Sequence, residues 1–163
     1  MTTMHGEAAL RPASSKDLPR VERLLTESQL PLDGVKESLN DFVVAEAGGD
    51  IVGVAGLEIC CDDALLRSVA VRPEWRSKGV GRALVNRAIA EAEARGIRAL
   101  YLLTSTAEHY FPSFGFAKVD RATIPAPVRA TREFTSACPA SAVAMSRPLV
   151  GAQSHLTSSS GSR

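Results

Sequence analysis

Residues 64–103 hold the stretch that most narrows the fold. A nearly all-apolar run over 64–71, interrupted by Arg67 and Ser68, ends at Pro73. It leads into Arg76-Ser77-Lys78-Gly79-Val80-Gly81. Residues 79–95 then place Val80, Leu84, Val85, Ala88, Ile89 and Ala92 at helical spacing. Gly96 stands where a helix C-terminus favours glycine, and 99–103 return as a buried strand. The order is a strand–loop–helix–strand crossover. Its two glycines let the backbone turn tightly and approach a ligand. The amides that open the helix lack intrahelical partners and lie at the positive end of its dipole. Such a turn can hold a diphosphate on main-chain N–H groups, and Arg76, Lys78 and Arg82 add positive charge around it.

The segments before this crossover read as hairpins. A short strand over 8–12 ends at Pro12. Asp17 or Ser15 is placed to cap a helix that carries Leu18, Val21, Leu24 and Leu25 on one face. A proline-containing connection over 29–34 and a helical turn over 35–39 precede a strand over 42–46. Gly48-Gly49-Asp50 is a hairpin turn. Residues 51–60 form the longer strand, in which Gly53 and Gly56 mark a bulge or a close backbone approach. Asp62-Asp63 is another turn. After the crossover, 104–114 are expected to hold a short helix, 116–119 an extended segment and 140–145 the last strand. Hairpins followed by one crossover predict an α+β fold, a mixed central sheet with helices on both faces. A single domain is expected over 1–150. The serine- and glycine-rich 151–163 read as a disordered tail. Arg-x-x-Gly-x-Gly is neither the glycine pattern of a dinucleotide fold nor a P-loop.

Bulk properties close off several classes. With 163 residues, 45% hydrophobic and 23% charged, the chain has enough length for a real core. A net charge of +1 argues against nucleic acid or membrane as a partner. Residues 1–10 contain Glu7 and no apolar core, so they do not read as a signal peptide, and no apolar run reaches bilayer length. Cys60, Cys61 and Cys138 make neither a metal spacing nor a disulfide framework. The expectation is a reduced, cytoplasmic protein without a metal.

With the motifs in view, the chain resembles the GCN5-related N-acetyltransferase (GNAT) superfamily. The matching pieces are Leu66-Arg67-Ser68-Val69-Ala70-Val71-Arg72-Pro73, then Arg76-x-x-Gly79-x-Gly81, then 107–116 ending in Gly115-Phe116. Within the family, Leu102-Leu103-Thr104-Ser105-Thr106-Ala107, Tyr110-Phe111 and Gly115-Phe116 resemble the amino-acid N-acetyltransferase branch. Pro125-x-x-Val128-Arg129-Ala130-Thr131-x-x-Phe134 and Cys138-Pro139-Ala140-Ser141-Ala142 resemble the small acetyltransferases of arsenic-resistance operons. The resemblance implies acetyl-CoA as cosubstrate. Val69, Ala70 and Val71 would pair with the pantetheine arm. Arg76, Ser77, Lys78, Gly79, Val80, Gly81 and Arg82 would bind the diphosphate. The implied acceptor is the α-amino group of a small amino acid, with arsinothricin or phosphinothricin as glutamate-like toxins among the candidates. Sheet-edge homodimers are common on this scaffold, and nothing in the sequence fixes one.

The reaction needs a proton taken from the amine, an oxyanion stabilised and a proton given to the thiolate. Many family members supply that last proton from a tyrosine four residues before the late Gly-Phe, where this chain has Phe111. Thr104, Ser105 or a water could hydrogen-bond the thiol instead. Tyr110 is either an acid or a packed amphipathic side chain. Glu58, in an apolar strand, is the candidate base, and its alternative is a strand-partner ion pair with Arg67. Arginine is the best bidentate partner for a carboxylate. Arg67, Arg129 and Arg132 are therefore the candidate substrate contacts, the last two expected on one face of a helical turn. Their alternatives are a structural pair for Arg67 and a solvated charged segment for the other two. His109 reads as a surface residue, Trp75 as packing under the loop, and Phe114 and Phe116 as core. Two other functions compete: a protein N-terminal or lysine acetyltransferase, and a non-catalytic acetyl-CoA sensor or interaction module.

Overall fold

Seven strands and four α-helices occur along the residues that the computed structural model describes, 7–137 and 141–149. In chain order they are β1 (Ala9–Pro12), α1 (Leu18–Glu27), α2 (Val35–Ser38), β2 (Phe42–Ala47), β3 (Asp50–Cys60), β4 (Asp63–Val71), α3 (Val80–Ala94), β5 (Ala99–Thr104), β6 (Ala117–Lys118), α4 (Ala126–Arg129) and β7 (Val143–Pro148). The strands form one sheet in the order β1-β2-β3-β4-β5-β7-β6. β1, β2 and β3 pair antiparallel. β4 and β5 pair parallel through Ala64 with Leu100 and Leu65 with Tyr101. β7 is antiparallel to both β5 and β6. This is the α+β mixed sheet expected from the order of elements. Among the described residues no helix is long and apolar enough to cross a membrane.

Local chemistry explains most boundaries. Gly48 and Gly49 both take positive φ, 58° and 86°, the geometry of a tight two-residue hairpin turn. The register of β2 on β3 shifts between Ala45 and Glu46, whose partners are Gly53 and Ile51. Val52 is thus the extra residue of a bulge, beside the glycine that suggested one. Gly53 and Gly56 also meet neighbours closely. A Cβ on Gly53 would stand 2.8 Å from Leu84 Cδ1 of α3, and one on Gly56 would overlap the Phe42 ring. The close approach comes from side chains rather than from backbone. At the end of α3, Gly96 has φ 74°, and its N–H and that of Ile97 reach back to Glu93 and Ala92 carbonyls, which stops the helix.

Three expectations need correction. Asp17 precedes α1 but does not cap it. Its carboxylate accepts instead from Ser14 N (2.8 Å) and from the Arg11 guanidinium. The helix expected over 104–114 is only a 3-10 turn, Phe111–Phe114. Thr104 Oγ1 accepts from Ala107 N at 2.9 Å, a local bond that competes with helix formation, and Pro112 offers no N–H. The last strand is Val143–Pro148 rather than 140–145. Its ends follow β5, which pairs Thr104 with Val143 and Ala99 with Pro148. The polar Ser146 and Arg147 hid that register from a reading of apolar runs. Residues 138–140 and the tail at 151–163 lie outside the described residues.

The chain divides into two units, Met1–Leu57 with Arg67–Ala88, and Glu58–Leu66 with Ile89–Arg163. In the first, Val21, Leu24 and Leu25 of α1 pack with Phe42, Val44 and Val54. In the second, Leu65, Ile124, Val128 and Ala144 form a core that Tyr101 and Phe134 flank.

Candidate functional site

The part of the crossover from Arg67 to Ala88, with the glycine turn, belongs to the first unit. β4 runs buried from Asp63 to Val71 except at Val69, which is partly accessible. Immediately before Val69 the strand is kinked, because Ser68 has φ 59°. Beyond Val71, a 3-10 turn Pro73–Trp75 carries the chain into residues 76–79. There Ser77 and Gly79 take positive φ, 70° and 84°. The Arg76 side chain folds back so that Nε donates to Val71 O at 3.1 Å, which ties the turn to the end of β4. Lys78 Nζ lies 5.6 Å from the centre of the Trp75 ring, a cation–π arrangement. The first bond of α3 runs from Ala83 N to Gly79 O at 3.0 Å. The N–H groups of the first turn, including those of Val80 and Gly81, therefore have no intrahelical acceptor. Among the described residues, and apart from its chain neighbours, nothing lies within 4 Å of where a Cβ on Gly79 would be. A cavity of about 220 Å³ adjoins the turn, lined by Lys78, Gly79, Val80 and Ala83 with Glu7, Ala8 and Leu10. Helix-opening amides, an open approach and nearby cationic side chains fit a diphosphate. Val69, Ala70, Val71, Arg76, Ser77, Lys78, Gly79, Val80, Gly81 and Arg82 are thus brought into one strand–turn–helix segment.

Arg67 also belongs to this unit and is only 3% exposed. Its Nε donates to Ser68 Oγ at 3.0 Å, and its Nη2 comes within 3.5 Å of Pro31 O.

The remaining candidates fall in the second unit. Glu58 is half-buried near the end of β3, and its carbonyl accepts from the Cys60 thiol at 3.3 Å. Burial, then the Glu58 charge, pushes the Cys60 thiol up to about 11. Thr104 ends β5 and Ser105 follows it, exposed. Tyr110 is 38% exposed and meets the Phe111 and Phe114 rings edge-on, at 5.2 Å each. Phe111, Phe114 and Phe116 are buried, the last two as expected. His109 is almost fully exposed beside Glu108. Arg129 closes α4 with Nε donating to Ile124 O at 2.9 Å. Arg132 lies beyond the end of α4, past Thr131, and is exposed. The two arginines do not share a helical turn, because the chain leaves α4 between them. Cys138 lies outside the described residues.

The sequence reading overlooked Ser68. Its signal was present, a polar residue beside an arginine inside an apolar strand, but a strand interruption does not reveal a left-handed φ.

Residues 38–118 match the family described as Acetyltransferase (GNAT) domain. An "uncharacterized N-acetyltransferase" of Chlorobaculum tepidum is 30% identical over 101 residues, which are 58% of this chain and 61% of that protein. An amino-acid acetyltransferase of Salmonella typhi is 40% identical over 89 residues, 53% of this chain but 20% of the relative. The chain therefore spans less than two thirds of the length of these curated relatives, 61% of the first and 20% of the second. Among solved structures, N-acetylglutamate synthase from Neisseria gonorrhoeae, complexed with coenzyme A and N-acetyl-glutamate, superposes with a TM-score of 0.75. It is 23% identical, over 87% of this chain and 35% of that one. A Mycobacterium tuberculosis protein in complex with CoA gives 0.74 at 23% identity, over 86% of this chain and 99% of its own. At such identity the structures speak to the fold, and they have the same fold as this chain. Over residues 38–118 the chain carries an acetyltransferase domain of the GNAT family.

Proposed function

We propose that this chain is an acetyl-CoA-dependent N-acetyltransferase whose acceptor is the α-amino group of a small amino acid. The observation that carries the donor half is the β4–turn–α3 segment, with the amides that open α3 placed beside Gly79 and its positive φ. A diphosphate suits that helix tip, and the amides of the pantetheine arm suit an extended strand at Val69–Val71. The acceptor half is supported by the 40% identity to an amino-acid acetyltransferase. Arsinothricin or phosphinothricin as acceptor rests on the likeness of the 125–142 segment alone.

A neutral amine attacks the thioester carbonyl, the oxyanion is stabilised by strand amides near Val69, and the thiolate leaves with a proton. We assign the base to Glu58 and a hydrogen bond to the leaving sulfur to Thr104 or Ser105. Arg129 and Arg132 are assigned to the acceptor's carboxylate. Changing either arginine to Gln is expected to raise the Michaelis constant for the amino acid more than that for acetyl-CoA.

Free-thiol release from acetyl-CoA, measured against a panel of amino acids, the two toxins and N-terminal peptides, tests the reading. Turnover with one or more amino acids is expected. Turnover with peptides alone would overturn the acceptor assignment. A second reading, a silent acetyl-CoA-binding module, is favoured by Phe111, which has no hydroxyl where many relatives carry a tyrosine. CoA binding without turnover on any amine would establish that reading instead.

A further inference from the structure

β4 contains a strained residue and a buried cation side by side. Ser68 holds φ 59° in the middle of the strand, a conformation that residues with a side chain avoid. Arg67 is 3% exposed and Ser68 6%, although burying a charged group is costly unless it is held by partners. Side chains at successive positions of a flat strand project to opposite faces. Here the left-handed φ instead brings the Ser68 hydroxyl to 3.0 Å from Arg67 Nε, which donates to it. The other end of the guanidinium points into the α1–α2 connection, with Nη2 3.5 Å from Pro31 O. Directly after this pair comes Val69, the one residue of β4 that is not buried.

We propose that Arg67 is a positioning residue. Its guanidinium holds Ser68 in the left-handed conformation and thereby sets the angle at which Val69, Ala70 and Val71 present their main chain to the pantetheine arm. The inference rests on the acetyl-CoA reading of the strand–turn–helix segment. It divides the labour within that segment. The turn at Gly79 grips the diphosphate, and the Arg67–Ser68 pair aligns the strand for the arm. It also gives Arg67 a role different from clamping an acceptor carboxylate.

The test compares two ligands by calorimetry: CoA, and 3′-phosphoadenosine 5′-diphosphate, which keeps the diphosphate but lacks the arm. Arg67→Met keeps the length of the side chain and removes its donors. It is expected to raise the CoA Kd about tenfold and to leave the fragment Kd within about twofold. Glycine adopts positive φ freely, so adding Ser68→Gly to Arg67→Met is expected to restore CoA affinity. If Arg67→Met does not fold, Arg67→Lys is read in the same way, since lysine has no Nε–H fork. Unchanged CoA affinity, an equal loss for both ligands, or failure of Ser68→Gly to rescue would overturn the proposal. So would a higher amino-acid KM at unaltered CoA affinity, which marks a carboxylate clamp. A wild-type protein that binds neither ligand brings down the donor reading itself, and this inference with it.

Discussion

Asp17 is 1% exposed and accepts from five donor atoms, the Ser14 hydroxyl at 3.3 Å among them. Arg11 Nη1 and Nη2 donate to its two oxygens at 2.8 and 2.9 Å, Arg20 Nη2 at 3.0 Å and Ser14 N at 2.8 Å. The Arg11 hydrogen bond holds its carboxyl well below the usual carboxylate range, against the opposing effect of burial. The folded pKa is depressed, so the stabilisation is fully present above the unfolded value, about 4, and is lost as pH falls toward the folded one. Asp17→Asn is expected to cost on the order of 2–3 kcal/mol at pH 7. The gap to wild type should shrink steadily below about pH 4, as urea unfolding at several pH values will measure. The sequence marked Asp17 as a helix cap, since an acidic residue ahead of an apolar periodicity has that signature. That Arg11, on β1, takes the carboxylate instead is a tertiary fact. For Tyr110 we propose packing rather than acid catalysis. The ring packs on Phe111 and Phe114 with its surface partly exposed, so Tyr110→Phe should leave kcat within about twofold in the thiol-release assay.

Elements were legible where a single periodicity ran uninterrupted. α3 falls within a residue of its expected ends and α1 holds the four expected face residues, because burial of one face dictates spacing, while β3 begins one residue early as a continuous apolar run buried from Ile51 to Leu57. The reading failed where local bonds or cross-strand pairing set the limits, as after Thr104 and at β7. The close packing behind Gly56 belongs to this scale. A methyl there would overlap the Phe42 ring, which is buried to 1% exposure and has no room to withdraw. Gly56→Ala is expected to destabilise by about 1–3 kcal/mol, read as a lower urea midpoint with an unchanged slope. Gly79 differs in kind. Its surroundings are open, and only its φ of 84° demands glycine.

For the whole molecule the donor reading makes a thermal prediction. A ligand that binds only the folded state stabilises it by mass action, by about 2.7 kcal/mol at a hundredfold excess over Kd. In a chain of this size that corresponds to a rise in Tm of about 5–10 °C with CoA. Gly79→Val is expected to abolish most of that rise, because a β-branched residue strains the turn that presents the amides. An equal rise in wild type and variant would remove Gly79 from the donor site.

The succession of residues alone settled the α+β class, the crossover and the position of the glycine turn. Each depends on spacing and backbone freedom within a short window, which a linear chain already contains. Folding decided the partner of Asp17, the register of β7, the separation of Arg129 from Arg132 and the left-handed Ser68. Those are outcomes of competition between alternative partners, some a few residues away and some on another strand, or between strain and contact, and no local pattern records which competitor wins.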